Sequence, residues 1–448
     1  MTMLTTRRRV PSRHVPTVEE KEAYEALWWL PEEEDNRVPG RLTIYPEQGI
    51  RLDLNGSFTD PLGLPDGNIG FPIVKGMQYS GARFTLLSCD SVQQKTPFGS
   101  GFPKQQLAVD TALVGCFFDS LEEVQFERFY FQVTHLKDWM RNVGLNRPEE
   151  KADGFKIEYD PSKASTVPEL RAELQRGTIS ITSEPIWEGA PISEREVSVK
   201  IRDQITVDPK DPVGPRELVD SWVSPLNDLL CLATTTPNSL IGLKARHPDW
   251  EEDNPKGSVT IHPTSVHQRF PRFSLFNKGR ILFNAHDIES FFDKGIRQWM
   301  KTADELQDVF SLFFGVHYNR GMRPVNRFLN VVQSVEVYHR IRHGDANLGN
   351  MLPKLIDKCP PSVMSVVPAP DVFTEWAVES RNYYTHRTDK SPVAEGENLV
   401  ILTGALMWIM RVHLMYEFGF SVDQCEEALD RNQELDVVRR ASRQMKWS

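Results

Sequence analysis

The residue types that could do chemistry gather in one short run near the C-terminal end, Arg381-Asn382-Tyr383-Tyr384-Thr385-His386. Arginine, asparagine and histidine at this spacing suit the cleavage of RNA without a metal. A 2′-hydroxyl must lose a proton and the leaving oxygen must gain one, and an imidazole that titrates near neutrality serves either step. Charge builds up on the pentavalent phosphate, and a guanidinium offers it a planar fork of donors. Asn382 either orients His386 or holds a phosphate oxygen.

Spacing alone does not single this run out. With four to six residues between, His14, His135 and His286 also follow an arginine (Arg9, Arg128 and Arg280), so four of the 11 histidines match. Only Arg381 is followed directly by asparagine and lies well inside a stretch of helical periodicity. Upstream, Glu336, His339, Arg340 and His343 recur at spacings of three, four and seven, which puts them on one helix face. They either line an RNA groove or assist His386, or they form an ordinary solvated polar face. No HExxH, no His/Cys ligand spacing and no GxxxxGK[ST] occurs, so neither a metal nor a nucleotide cofactor is expected.

One unbroken helix would position the run badly. At ~100° per residue, positions five apart differ by about 140°, so Arg381 and His386 of one chain diverge. Either the helix ends near Thr385, as Arg387-Thr388-Asp389-Lys390-Ser391-Pro392 suggests, or the site is assembled from two chains.

The elements that must carry this run fall into two halves. Residues 1–20, with Arg7, Arg8, Arg9 and two prolines, read as a flexible tail. Period-two alternation then predicts strands at Leu42–Tyr45, Ile50–Leu54, Ala82–Leu87, Gln106–Phe118, Glu127–Val133, Phe155–Tyr159, Thr178–Ile181 and Glu196–Val207. Strand follows strand, which favours an antiparallel sandwich or barrel. Arg216–Ala233 reads as a helix, and His247–Pro263 as a polar loop. From His286 the period becomes helical, with helices at Asp287–Thr302, Ala303–Phe314, Pro324–His343, Asn350–Asp357, Val372–Thr385, Glu395–Gly419 and Val422–Asn432, and a Pro-rich loop at Cys359–Asp371. The expected fold is α+β and multidomain: a tail (1–20), a β-rich half with a helical extension (21–285) and an all-α bundle (286–448).

The bulk numbers bound the function. The chain has 448 residues, 52 Lys and Arg, 62 Asp and Glu, and a net charge of −10. Affinity for phosphate comes from cations, so this balance argues against a protein that coats nucleic acid, and any RNA path must be local. Five scattered cysteines without a CxxC pair suit free thiols in a reducing cytoplasm. Leu399–Phe420 is the most apolar stretch, but Arg411, His413 and Glu417 interrupt it, so it reads as a buried helix and no membrane is expected.

On the residues Arg381-Asn382 and His386 in this setting, the C-terminal part resembles an HEPN domain, in particular the ApeA-type HEPN domain of bacterial abortive-infection proteins. Leu27-Trp28-Trp29-Leu30-Pro31, Gly40-Arg41-Leu42 and Gly49-Ile50-Arg51-Leu52 resemble the N-terminal domain found with it. The resemblance implies a metal-independent endoribonuclease that halts phage propagation, with Arg381, Asn382 and His386 as catalytic residues. It also implies a homodimer or higher homo-oligomer formed through the helical domain; on the enzyme reading the β-rich half senses a phage-derived trigger or restrains the bundle. The competing reading is a non-catalytic dimerising module whose β-rich half binds a ligand or a phage protein.

Overall fold

The computed structural model describes residues 22–45, 49–59, 70–95, 101–141, 149–151, 154–156, 169–187, 199–248, 257–263, 277–319, 321–367, 369–388 and 391–444. The predicted tail, the end of the expected strand Phe155–Tyr159, the start of the expected strand Glu196–Val207 and residues 249–256 of the expected loop lie outside them.

The first half is built from antiparallel strands. β1 (Glu22–Trp29), β2 (Val38–Tyr45), β3 (Gly49–Leu54), β4 (Gly70–Met77), β5 (Arg83–Lys95) and β6 (Lys104–Val114) close into a six-strand barrel in the order β6-β3-β2-β1-β4-β5, because β5 pairs back onto β6. Alternation does the folding work here: in β3, Ile50, Leu52 and Leu54 point inward while Arg51 stays out. The interior is filled by Trp28, Leu42, Leu52, Val74, Phe84, Leu86 and Leu107, so the barrel is packed rather than hollow. Gly76 pairs with Trp28, and a Cβ on it would sit 2.2 Å from that indole, so a side chain there would force the two strands apart.

β6 joins this barrel to a second sheet. Its Thr111–Val114 end pairs with β14 (Val259–Pro263), and the sheet continues through β13 (Leu240–Arg246), β7 (Arg128–Val133), β12 (Val199–Pro209), β11 (Gly177–Trp187) and β10 (Leu170–Leu174). A two-strand hairpin, β8 (Glu149–Lys151) with β9 (Gly154–Lys156), stands apart. β14 corrects the expected loop at His247–Pro263. Only Val259 and Ile261 turn inward there, too short an alternation to stand out among polar neighbours.

The helix between β12 and β13 runs from Pro215 through a wider turn at Val219–Val223 into α1 (Ser224–Thr234). The bundle follows: α2 (Phe292–Glu305), α3 (Gln307–Tyr318), α4 (Pro324–His343), α5 (Leu348–Ile356), α6 (Pro370–His386), α7 (Gly396–Phe418), α8 (Val422–Asp430) and α9 (Gln433–Gln444). The expected loop at Cys359–Asp371 contains one helical turn, Pro361–Met364, started by prolines that pre-set the backbone.

A single apolar core runs from the second sheet through α1 into the bundle. Trp299 of α2 lies at the join. It is fully buried, donates through Nε1 to the Pro225 carbonyl at 2.8 Å, and packs on Phe310, Phe314 and Phe418. α7 is long and apolar enough to cross a membrane, yet most of it is buried among the other helices, including Arg411 and His413. The buried-helix expectation therefore holds. Trp28 and Trp29 are core residues.

A charged tie fixes the helices that flank the candidate site. Arg342 of α4 takes Glu417 of α7 with two short bonds, Nε to Oε1 at 2.8 Å and Nη2 to Oε2 at 3.0 Å, and reaches Glu305 of α2 at 2.7 Å. Tyr338 donates to the same Glu417 at 3.0 Å. Two parallel bonds to one carboxylate set the orientation of α4 against α7.

Candidate functional site

α6 begins at Pro370, whose fixed φ suits a first helical position, and buries Phe373, Thr374, Trp376, Ala377 and Ser380. It runs unbroken through His386 and stops because Arg387 adopts a left-handed backbone, φ 55°, with its N–H bonded to the Tyr383 carbonyl at 2.8 Å. The helix thus ends one residue beyond the expected Thr385, and His386 is its last residue.

The returning chain is tied to one side of this last stretch. The Ala394 N–H donates to Ser380 Oγ at 2.8 Å, and the Tyr384 hydroxyl donates to the Ala394 carbonyl at 2.8 Å. Ser380 and Tyr384 are four apart, hence stacked on one face. Burial raises the Tyr384 phenol above its ordinary value, with Glu395 adding to the shift. These two anchors were not picked out from the sequence, although their i, i+4 spacing before a long apolar helix was a usable signal.

The three motif residues leave this anchored side. Arg381 and Asn382 are half-buried, and His386 is exposed. Arg381 Nη2 stands 3.4 Å from Glu336 Oε1 on α4, and Nη1 stands 3.4 Å from the neighbouring Asn382 Oδ1. Thr385 Oγ donates to the Arg381 carbonyl at 2.7 Å, which closes the last turn. Arg387 lies over the Tyr383 ring and donates to its hydroxyl at 3.1 Å, placing an exposed cation beside His386. The end of the helix therefore carries cations at its negative pole, as the backbone dipoles favour.

Of the four residues singled out on α4, Glu336 reaches the motif. His339 is buried, with its Nδ1 donating to the Gly344 carbonyl at 3.1 Å. Arg340 is exposed and pairs with Asp345 at 2.7 Å. His343 is exposed and packs edge-on against His339 at 5.1 Å. Desolvation first, and then the charges of Lys358 and His339, hold His343 below the ordinary histidine value. The face thus splits into a contact with α6, a buried imidazole and an outer polar rim.

Among the described residues no group of three or more His, Cys, Asp or Glu is arranged to hold a metal ion. The cysteines Cys89, Cys116, Cys231, Cys359 and Cys425 are free thiols.

Two family models match the chain: ApeA N-terminal domain 1 over residues 23–299, more than half of its length, and Apea-like HEPN over residues 329–424. The second range contains α6, α7 and most of α4. No curated protein and no solved structure matches.

Proposed function

Because the chain belongs to the family of ApeA-type HEPN proteins, we propose that it is a metal-independent endoribonuclease acting in anti-phage defence, with Arg381, Asn382 and His386 as its catalytic residues. The observation that carries this reading is the placement of Arg381, Asn382 and His386 on the final, solvent-facing turns of one anchored helix. In the proposed reaction His386 either takes the proton of a 2′-hydroxyl, with water protonating the 5′-oxygen, or protonates the 5′-oxygen, with water taking the proton of the 2′-hydroxyl. The 2′-oxygen attacks phosphorus, the bond to the 5′-oxygen breaks, and that oxygen leaves as a hydroxyl. Arg381 holds the pentavalent phosphate and Asn382 orients the imidazole or a phosphate oxygen.

Five positions along an unbroken helix separate the two groups by about 140° in azimuth and about 7.5 Å along the axis. One protomer therefore presents them in different directions. In this reading the site is composite: a second copy docks its own α6 end against the first, and Arg381 of one meets His386 of the other. The β-rich half then senses a phage-derived trigger or restrains the bundle, and the protein acts in the cytoplasm on RNA.

The test is cleavage of RNA by the purified protein with EDTA present throughout. The expected result is undiminished cutting with 2′,3′-cyclic phosphate ends. Loss of cutting in EDTA, restored by a divalent ion, would reject the metal-free mechanism.

A further inference from the structure

Resting on the ribonuclease reading, we propose that Glu336 competes with the substrate phosphate for Arg381 and so sets how tightly the site takes RNA. The sequence leaves Glu336 either beside an RNA path or on a solvated polar face. A carboxylate there has the wrong sign to hold phosphate, and its partner in the structure is the guanidinium itself.

The form of the contact argues for competition rather than fixation. This bundle contains an example of a carboxylate that does fix an arginine: Glu417 takes Arg342 with two bonds of 2.8 and 3.0 Å. Glu336 meets Arg381 through one oxygen at 3.4 Å. A single long contact gives up the geometric selectivity of the guanidinium fork, whereas phosphate can fill that fork with two parallel charge-assisted bonds. The contact from Asn382 on the other nitrogen is equally long.

Solvent exposure points the same way. The Arg381 side chain is 33% exposed and that of Glu336 is 19% exposed, so a phosphate can reach the guanidinium and the displaced carboxylate stays hydrated. Arg340, one turn along α4, is drawn to Asp345 and does not neutralise Glu336. Glu336 thus stands as an internal substitute for the phosphate, and RNA must displace it.

The test uses the full chain and a fluorescent single-stranded RNA carrying 2′-O-methyl groups throughout, which binds but cannot be cut by 2′-oxygen attack. Fluorescence anisotropy at low ionic strength is read for the wild type, Glu336→Gln and Glu336→Ala, each also in an Arg381→Ala background. Removing the carboxylate is expected to tighten binding about 2–5-fold, the ratio that one partly exposed ion pair is worth. The gain should vanish when Arg381 is absent and shrink as salt is added. Equal or weaker binding by both Glu336 variants would overturn the proposal. So would an equal gain in the Arg381→Ala background, because that would reflect only the loss of a general negative charge. Tighter binding by Glu336→Gln in a protein that never cuts unmodified RNA would instead sink the ribonuclease reading and leave the competition standing.

Discussion

His386→Ala is expected to lower RNA cleavage about 10²–10⁴-fold, the range that one positioned acid or base supplies. Neither the Asn382 amide nor the Arg381 guanidinium can take over proton transfer from the imidazole. Arg381→Ala should cost about 10²–10³-fold, comparable to removing one donor from a developing oxyanion. The two losses should not multiply if the groups act as a unit. His386 is exposed at the helix terminus and touches no core, so the unfolding midpoint of His386→Ala should stay near that of the wild type. Single-turnover cleavage of a defined RNA, read beside thermal melts, makes the check. Cleavage by His386→Ala at the wild-type rate would remove the histidine from the mechanism.

Trp299→Ala is expected to be the most damaging change to stability. The indole is fully buried, fills space between α2, α3 and α7, and bonds to α1. Truncating it opens a cavity and removes the indole's bond to the Pro225 carbonyl, for a cost of about 3–5 kcal/mol. Against a typical total of ~5–15 kcal/mol, that threatens the fold. The core is continuous from the second sheet into the bundle, so the loss should be felt on both sides. Hydrogen exchange should show slow-exchanging amides in β12 and in α3 losing the same amount of protection. Weakening confined to α3, with β12 unchanged, would mean that the sheet and the bundle unfold independently.

Much of this architecture was legible in the residues. β3 announces itself by alternation, and the long helices by apolar stripes. α4 matched its expected bounds because Pro324 starts it and Gly344, at φ 87°, ends it. β1 was not legible as a strand: Glu22–Trp29 is rich in Glu, Ala and Leu, which favour helix, and pairing with β2 and β4 overrides that preference. Closure of the barrel was also hidden, since it depends on β5 pairing with β6 as well as with β4.

The site divides the same way. The motif is visible in the sequence because its residues are neighbours. Its main charged contact is not, because Glu336 lies 45 positions upstream on another helix. Arg381 has two carboxylates close by on its own helix, Glu375 and Glu379. They sit six and two positions before it, and neither offset brings side chains together on a helix. The α4–α6 packing decides the pairing instead. The same packing buries His339, which a helical wheel cannot distinguish from its exposed neighbours Arg340 and His343.

The composite site is open to a direct measurement. Arg381→Ala and His386→Ala chains carrying different tags are co-expressed, doubly tagged dimers are isolated, and their RNA cleavage is compared with that of each parent variant. If each site joins Arg381 of one chain to His386 of the other, a mixed dimer keeps one of its two sites intact and should recover about half of the wild-type activity. Failure to recover any doubly tagged dimer, or a mixed dimer no more active than its inactive parents, would contradict an active site shared between two copies.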